Sequence, residues 1–116
     1  MSFQYSRLVE IITLPNSVGA IYTNAANTIS YLRLIVIHNS NTIIETVKLY
    51  NVPDSGGSPG TPGDTNKFYQ EDISPYATRI IEFTVPGLML VDTNDTLQGY
   101  TTTASKVSIQ IMGAKE

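Results

Sequence analysis

Residues 28–51, TISYLRLIVIHNSNTIIETVKLYN, set two long runs of β-branched and aromatic residues on either side of a short polar turn at Asn39-Ser40-Asn41. Val, Ile, Thr and Tyr suit a pleated, half-buried surface, so the stretch predicts an antiparallel hairpin. Side chains alternate along a strand with period two. Leu32, Leu34 and Val36 therefore point one way and Ile29, Tyr31, Ile35 and Ile37 the other. Both faces are apolar. An antiparallel strand in a small monomer ordinarily solvates one face, so a strand apolar on both is central in a sandwich or lies under a partner.

The rest of the chain continues this cadence. Strands are predicted at 5–13, 18–23, 28–38, 42–51, 66–72, 78–85, 95–102 and 106–112, separated by Pro15-Asn16, Asn24 to Asn27, Asn39 to Asn41, Ser74-Pro75, Pro86-Gly87 and Asp92 to Asp95. Those separators are turn formers for steric reasons. No segment keeps a helical period, and about eight short alternating strands predict an all-β, antiparallel β-sandwich of jelly-roll-like form. Leu34, Val36, Val47, Leu49, Ile81, Phe83, Ile109 and Ile111 are its expected core. With 116 residues the chain is expected to form one domain, large enough for a closed core without disulfides.

Residues 53–66, PDSGGSPGTPGDTN, interrupt the cadence with three Pro and four Gly and little to bury, which predicts an exposed loop. The plain expectation is a flexible insertion. The sharper one is an arm ordered against a neighbouring subunit.

Only 15% of residues are charged, where an average soluble protein has about 25%, so Thr, Asn, Ser and Gln must cover the surface. A net charge of −3 supplies no basic field, which disfavours DNA or RNA as a partner. The absence of Cys removes disulfides and thiolate chemistry. The start, MSFQYSRLVE, has neither a basic leader nor an apolar run, and no stretch of about 18 apolar residues occurs, so a protein made in the cytoplasm without a membrane span is expected.

Residues able to carry catalysis are sparse. His38 is the sole histidine and sits at a strand end beside an Asn-rich turn, without a second ligand for a metal. Asp92, Asn94 and Asp95 in VDTNDT lack the spaced acidic pattern and the distal Glu of a calcium-binding EF-hand, so an Asx-rich turn is the better reading. Glu71, Asp72 and Glu82 are scattered carboxylates. Gly56-Gly57 opens no helix that could cradle a phosphate. Gly19 and Gly99 are strand glycines expected at bulges or close approaches. No enzyme activity, cofactor or metal is expected.

The segment VKLYNVPDSGGSP, the following NKFY, and then ISPYATRIIEFTVPGLMLVDTNDTLQGYTTTASKVSIQIMG resemble the small β-sandwich structural proteins of tailed bacteriophage virions. The shared elements are the Asn39 to Thr42 turn, the loop Ser55 to Pro59, the strand Thr78 to Val85, the corner Pro86 to Leu90, the segment Asp95 to Leu97 and a final strand Val107 to Gly113. The resemblance runs from about residue 18 onward as a cadence, not an invariant motif, and the loop here is richer in Pro. It implies a capsid decoration or cement protein located on the virion surface, bound to the major capsid protein or other virion proteins. It also implies a homo-oligomer, with a trimer favoured. Candidate interface residues are Tyr5, Leu8 and Tyr22, then Tyr31 and Arg33, and the loop with Pro53, Pro59 and Pro62. A carbohydrate- or receptor-binding sandwich using some of the seven Tyr is the alternative of another class. A neck, tail or baseplate protein is the alternative within the same one.

Overall fold

The computed structural model describes residues 4–116, with side chains from Ser6 onward. Among these residues nine strands and no helix occur: β1 (Gln4–Thr13), β2 (Gly19–Thr23), β3 (Ser30–Asn39), β4 (Glu45–Val52), β5 (Lys67–Ile73), β6 (Thr78–Glu82), β7 (Leu88–Leu90), β8 (Thr96–Thr101) and β9 (Val107–Lys115). They form two packed antiparallel sheets. One runs β1-β9-β3-β6, with β7 pairing β3 beyond the end of β6, and the other runs β2-β8-β4-β5. This is the expected β-sandwich. Every predicted strand is present, and the sequence reading missed only the three-residue β7, which follows the Pro86-Gly87 corner.

The predicted hairpin at 28–51 is not formed. β3 belongs to the first sheet and β4 to the second, so residues 40–44 carry the chain across the sandwich as an arch. The apolar rows of the two strands, Ile35 and Ile37 on β3 and Val47 and Leu49 on β4, are all fully buried in one core. Each sheet thereby supplies one wall. Asn39 holds the arch from within. Its side chain is fully buried, donating to the carbonyls of Ile43 and Ile73 (both 3.0 Å) while accepting from the Asn41 N–H (2.8 Å).

The expected core also needs correction at two positions. Val47, Leu49, Ile109 and Ile111 are buried and Ile81 and Phe83 pack against them, but Leu34 and Val36 are half-buried and lie on the outer face. The cause is a β-bulge. Leu32 pairs with Gly113 and Leu34 with Met112, leaving Arg33 as an extra residue in β3. One inserted residue reverses the phase of a period-two pattern. Leu32 therefore shares the core with Ile35 and Ile37 instead of with Leu34 and Val36. Gly113 permits the close approach at this bulge, because a Cβ there would lie 1.9 Å from the Tyr31 carbonyl oxygen.

A buried carboxylate ties the loops at one end of the sandwich. Glu45 is fully buried. Its Oε1 accepts from the Thr101 hydroxyl (3.0 Å) and the Thr103 N–H (2.8 Å), and its Oε2 from Asn41 Nδ2 (2.9 Å). Burial pushes its pKa up. The hydrogen bonds from Thr103, Asn41 and Thr101 outweigh that and hold the group below the usual carboxylate range.

Candidate functional site

Residues paired directly across an antiparallel ladder share a face, so the registers give the outer surface of the first sheet row by row. One row is Arg7, Met112, Leu34 and Glu82, crossing β1, β9, β3 and β6 in that order. The next holds Gln110, Val36 and Ile80, and a third holds Thr13, Ser108, His38 and Thr78. Ile80 is 60% exposed, and Leu34, Val36 and Met112 are half-buried. The centre of this face is thus apolar and open. Its exposed charges stand at opposite margins, Arg7 on β1 and Glu82 on β6, while the half-buried Arg33 belongs to the central β3.

Beside Arg7 the face sinks into a depression of about 470 Å³ lined by Ser6, Arg7, Arg33, Met112 and Gly113. The Arg33 side chain is held down by the corner after Pro86. At Gly87 (φ 112°) a Cβ would meet the Leu32 carbonyl oxygen at 2.5 Å and Arg33 Cδ at 3.0 Å, so glycine allows the corner to close on the arginine stem. The Arg33 Nε is buried without a hydrogen-bond partner. The ion pairs among the described residues are Arg79 with Glu71 (2.9 Å) and Lys67 with Asp64 (3.8 Å), and neither Arg7 nor Arg33 takes part. The depression thus carries two guanidinium groups and no acidic side chain in its lining, a positive margin to this face.

The candidates read from sequence are dispersed. Arg33 lines the depression. Tyr31 is buried, and its hydroxyl donates to Glu116 Oε2 at 2.8 Å. Leu8 and Tyr22 pack against the core, with Tyr22 Oη hydrogen-bonded to Ser30 Oγ at 2.6 Å. The Tyr5 backbone pairs with Ala114 in β1, while its side chain lies outside the described residues. Pro53 and Pro59 are exposed and Pro62 is half-buried. Arg7, Met112, Ile80 and Glu82 were missed. Only strand pairing and register bring them onto one face, and sequence periodicity does not supply these.

The loop 53–66 folds onto its own chain. Gly56 and Gly57 (φ 59° and 85°) form a turn of the type that needs two positive φ angles, bridging Ser55 to Ser58. Gln98 Nε2 donates to the Gly60 carbonyl (3.1 Å) and Asn94 Nδ2 to that of Gly57 (2.7 Å). Asp95 clamps the loop base, accepting from the Asp54 N–H on Oδ1 (2.9 Å) and from the Val91 and Asp92 N–H groups on Oδ2 (3.1 and 3.0 Å). This is the Asx-rich turn expected at 92–95. Carboxylate oxygens of Asp54, Asp92 and Asp95 lie within 4.8 Å of one another, a donor type that suits a hard cation. Burial raises the Asp95 pKa, but the backbone donors of Asp54, Asp92 and Val91 outweigh it and keep the group low, so its charge is already met by amides.

His38 Nδ1 is 2.9 Å from the Thr78 hydroxyl on the outer face. On the second sheet the Tyr50 and Tyr100 rings are parallel within 6° at 6.5 Å, the arrangement closest to a sugar platform. Tyr50 is only 7% exposed and the Lys48 ammonium stands 5.5 Å over the Tyr100 ring, which leaves little free ring surface. No protein-family model and no curated protein matches the chain.

Proposed function

We propose that this chain is a non-enzymatic structural protein of a tailed-bacteriophage virion, acting as a capsid decoration protein that binds the head shell and joins neighbouring subunits. The observation that carries the association half is the outer face of the first sheet, where Leu34, Val36, Met112 and Ile80 remain partly or largely open to solvent. A cluster of open apolar side chains on one sheet face supports a contact with another chain, because covering it removes apolar surface from water. The virion half is supported by the sequence cadence from residue 18 onward and by a surface poor in charge. Neutral polar and apolar surface suits a protein packed among neighbours. The side chains most able to do chemistry are already engaged: His38 with Thr78, and Asp95 with three backbone amides.

Purified chain mixed with undecorated heads, tails and baseplates, then pelleted, tests this reading. Saturable co-sedimentation with heads is the expected result. Binding to tails alone would move the protein to the tail, and failure to bind any particle would overturn the virion assignment.

A further inference from the structure

We propose that a second copy of this chain covers the outer face of the first sheet, related to the first copy by a two-fold axis that runs along the strands between β9 and β3. The proposal rests on the association half of the reading above. Its virion half does not enter.

The charge pattern selects this occupant. Arg7 and Glu82 end one row of a four-strand path, three strand spacings apart, or about 14 Å at 4.7–4.9 Å per spacing. They are too distant to pair within one chain. Rotation about the proposed axis lays β1 over the second copy's β6 and β9 over its β3, since these strands stand at equal distances from the axis. Arg7 of each copy then faces Glu82 of the other, and Met112 faces Leu34. In the adjoining rows Gln110 meets Val36 and Ser108 meets His38. Every contact occurs twice, as an isologous interface requires.

The chemistry of the face fits the same arrangement. Apolar residues occupy the middle of the rows and the exposed charges, Arg7 and Glu82, their ends, which resembles the usual anatomy of a protein interface. The incoming Glu82 carboxylate arrives at the depression lined by Arg7 and Arg33, the two arginines in no ion pair among the described residues. A separation of roughly 10 Å, the usual spacing of stacked sheets, would accommodate the side chains of both faces. A partner that merely covered apolar surface would not match the opposed charges of Arg7 and Glu82.

Sedimentation equilibrium of the full chain tests the pairing through charge reversal. Arg7→Glu, Glu82→Arg and the double variant are compared with the unaltered protein, with thermal melts as the folding control because both residues are exposed. The unaltered protein is expected to be dimeric. Each single reversal should raise Kd by about ten-fold or more, and the double reversal should restore it to within about three-fold. A monomeric unaltered protein, single reversals without effect, or a double variant no tighter than the singles would overturn the proposal. Head binding is read separately. Heads that capture a strictly monomeric chain would sink the two-fold pair alone, whereas a dimer that ignores heads supports it and sinks the virion assignment.

Discussion

Replacing Glu45 by Gln leaves the shape of the buried side chain nearly unchanged and removes its charge. The carbonyl of the new amide can take over Oε1, accepting from Thr101 and Thr103, but its NH2 must then face Asn41 Nδ2, a donor against a donor. Asn41 cannot turn to compensate without loss, because its Oδ1 accepts the Thr42 N–H at 2.7 Å. At least one charge-assisted hydrogen bond is lost and a buried donor is left unmet, which should cost about 2–3 kcal/mol. For a domain of this size the melting temperature should fall by roughly 8–12 °C. The pH dependence gives a second handle. The folded pKa of Glu45 lies below its ordinary value, so the unfolded chain takes up the proton first and the stabilisation is fully present above the ordinary value of about 4.3. It is lost as the pH falls through the folded pKa. Gln binds no proton, so the stability gap between the two proteins should be widest near neutrality and narrow in acid. Urea unfolding monitored by far-UV circular dichroism from neutral to strongly acidic pH measures both effects. A gap below about 0.5 kcal/mol at neutral pH, or one unchanged in acid, would refute the reasoning.

Two further substitutions probe the fold. Ile35→Ala should destabilise by about 2–5 kcal/mol, while Val36→Ala, one residue on, should cost about 1 kcal/mol or less. Equal losses in denaturant unfolding would show that the bulge at Arg33 does not set the phase of β3. Asp95→Ala strips the acceptor from the N–H groups of Asp54, Val91 and Asp92, so limited proteolysis should cut within residues 53–66 faster than in the unaltered protein while the sheets persist. An unchanged cleavage rate would mean that the loop is held by something other than the Asp95 clamp.

The fold class was legible because eight of the nine strands carry β-branched or alternating residues between strong turn formers. β7 escaped notice because three residues are too few to show a period. The arch at 40–44 was illegible for a different reason: two adjacent apolar strands joined by a polar turn look the same whether they pair side by side or face each other across a core. What separates the two is Asn39, whose buried amide bonds to Ile43 and Ile73. Nothing local marks that Asn as buried. The depression was half legible. Arg33 stood out as a charge inside an apolar strand, but Arg7 joins it only through the pairing of β1 with β9.

The same inserted residue connects core and surface. β3 carries two apolar rows of similar quality, and without a bulge Leu32 would lie in the core with Leu34 and Val36, as periodicity alone suggests. Arg33 cannot enter a closed apolar core without a partner for its charge. Accommodating it as the extra residue at the bulge puts its guanidinium on the outer side, where it lines the depression with Arg7. Beyond the bulge the phase reverses, so Ile35 and Ile37 fill the interior and Leu34 and Val36 are left outside beside Met112 and Ile80. The apolar patch and the unpaired arginine are therefore one consequence of one residue. A strand that merely had surplus hydrophobic residues would show the first without the second. Their coincidence on a single face, with Glu82 at the far margin, is the pattern on which the proposed self-complementary contact rests.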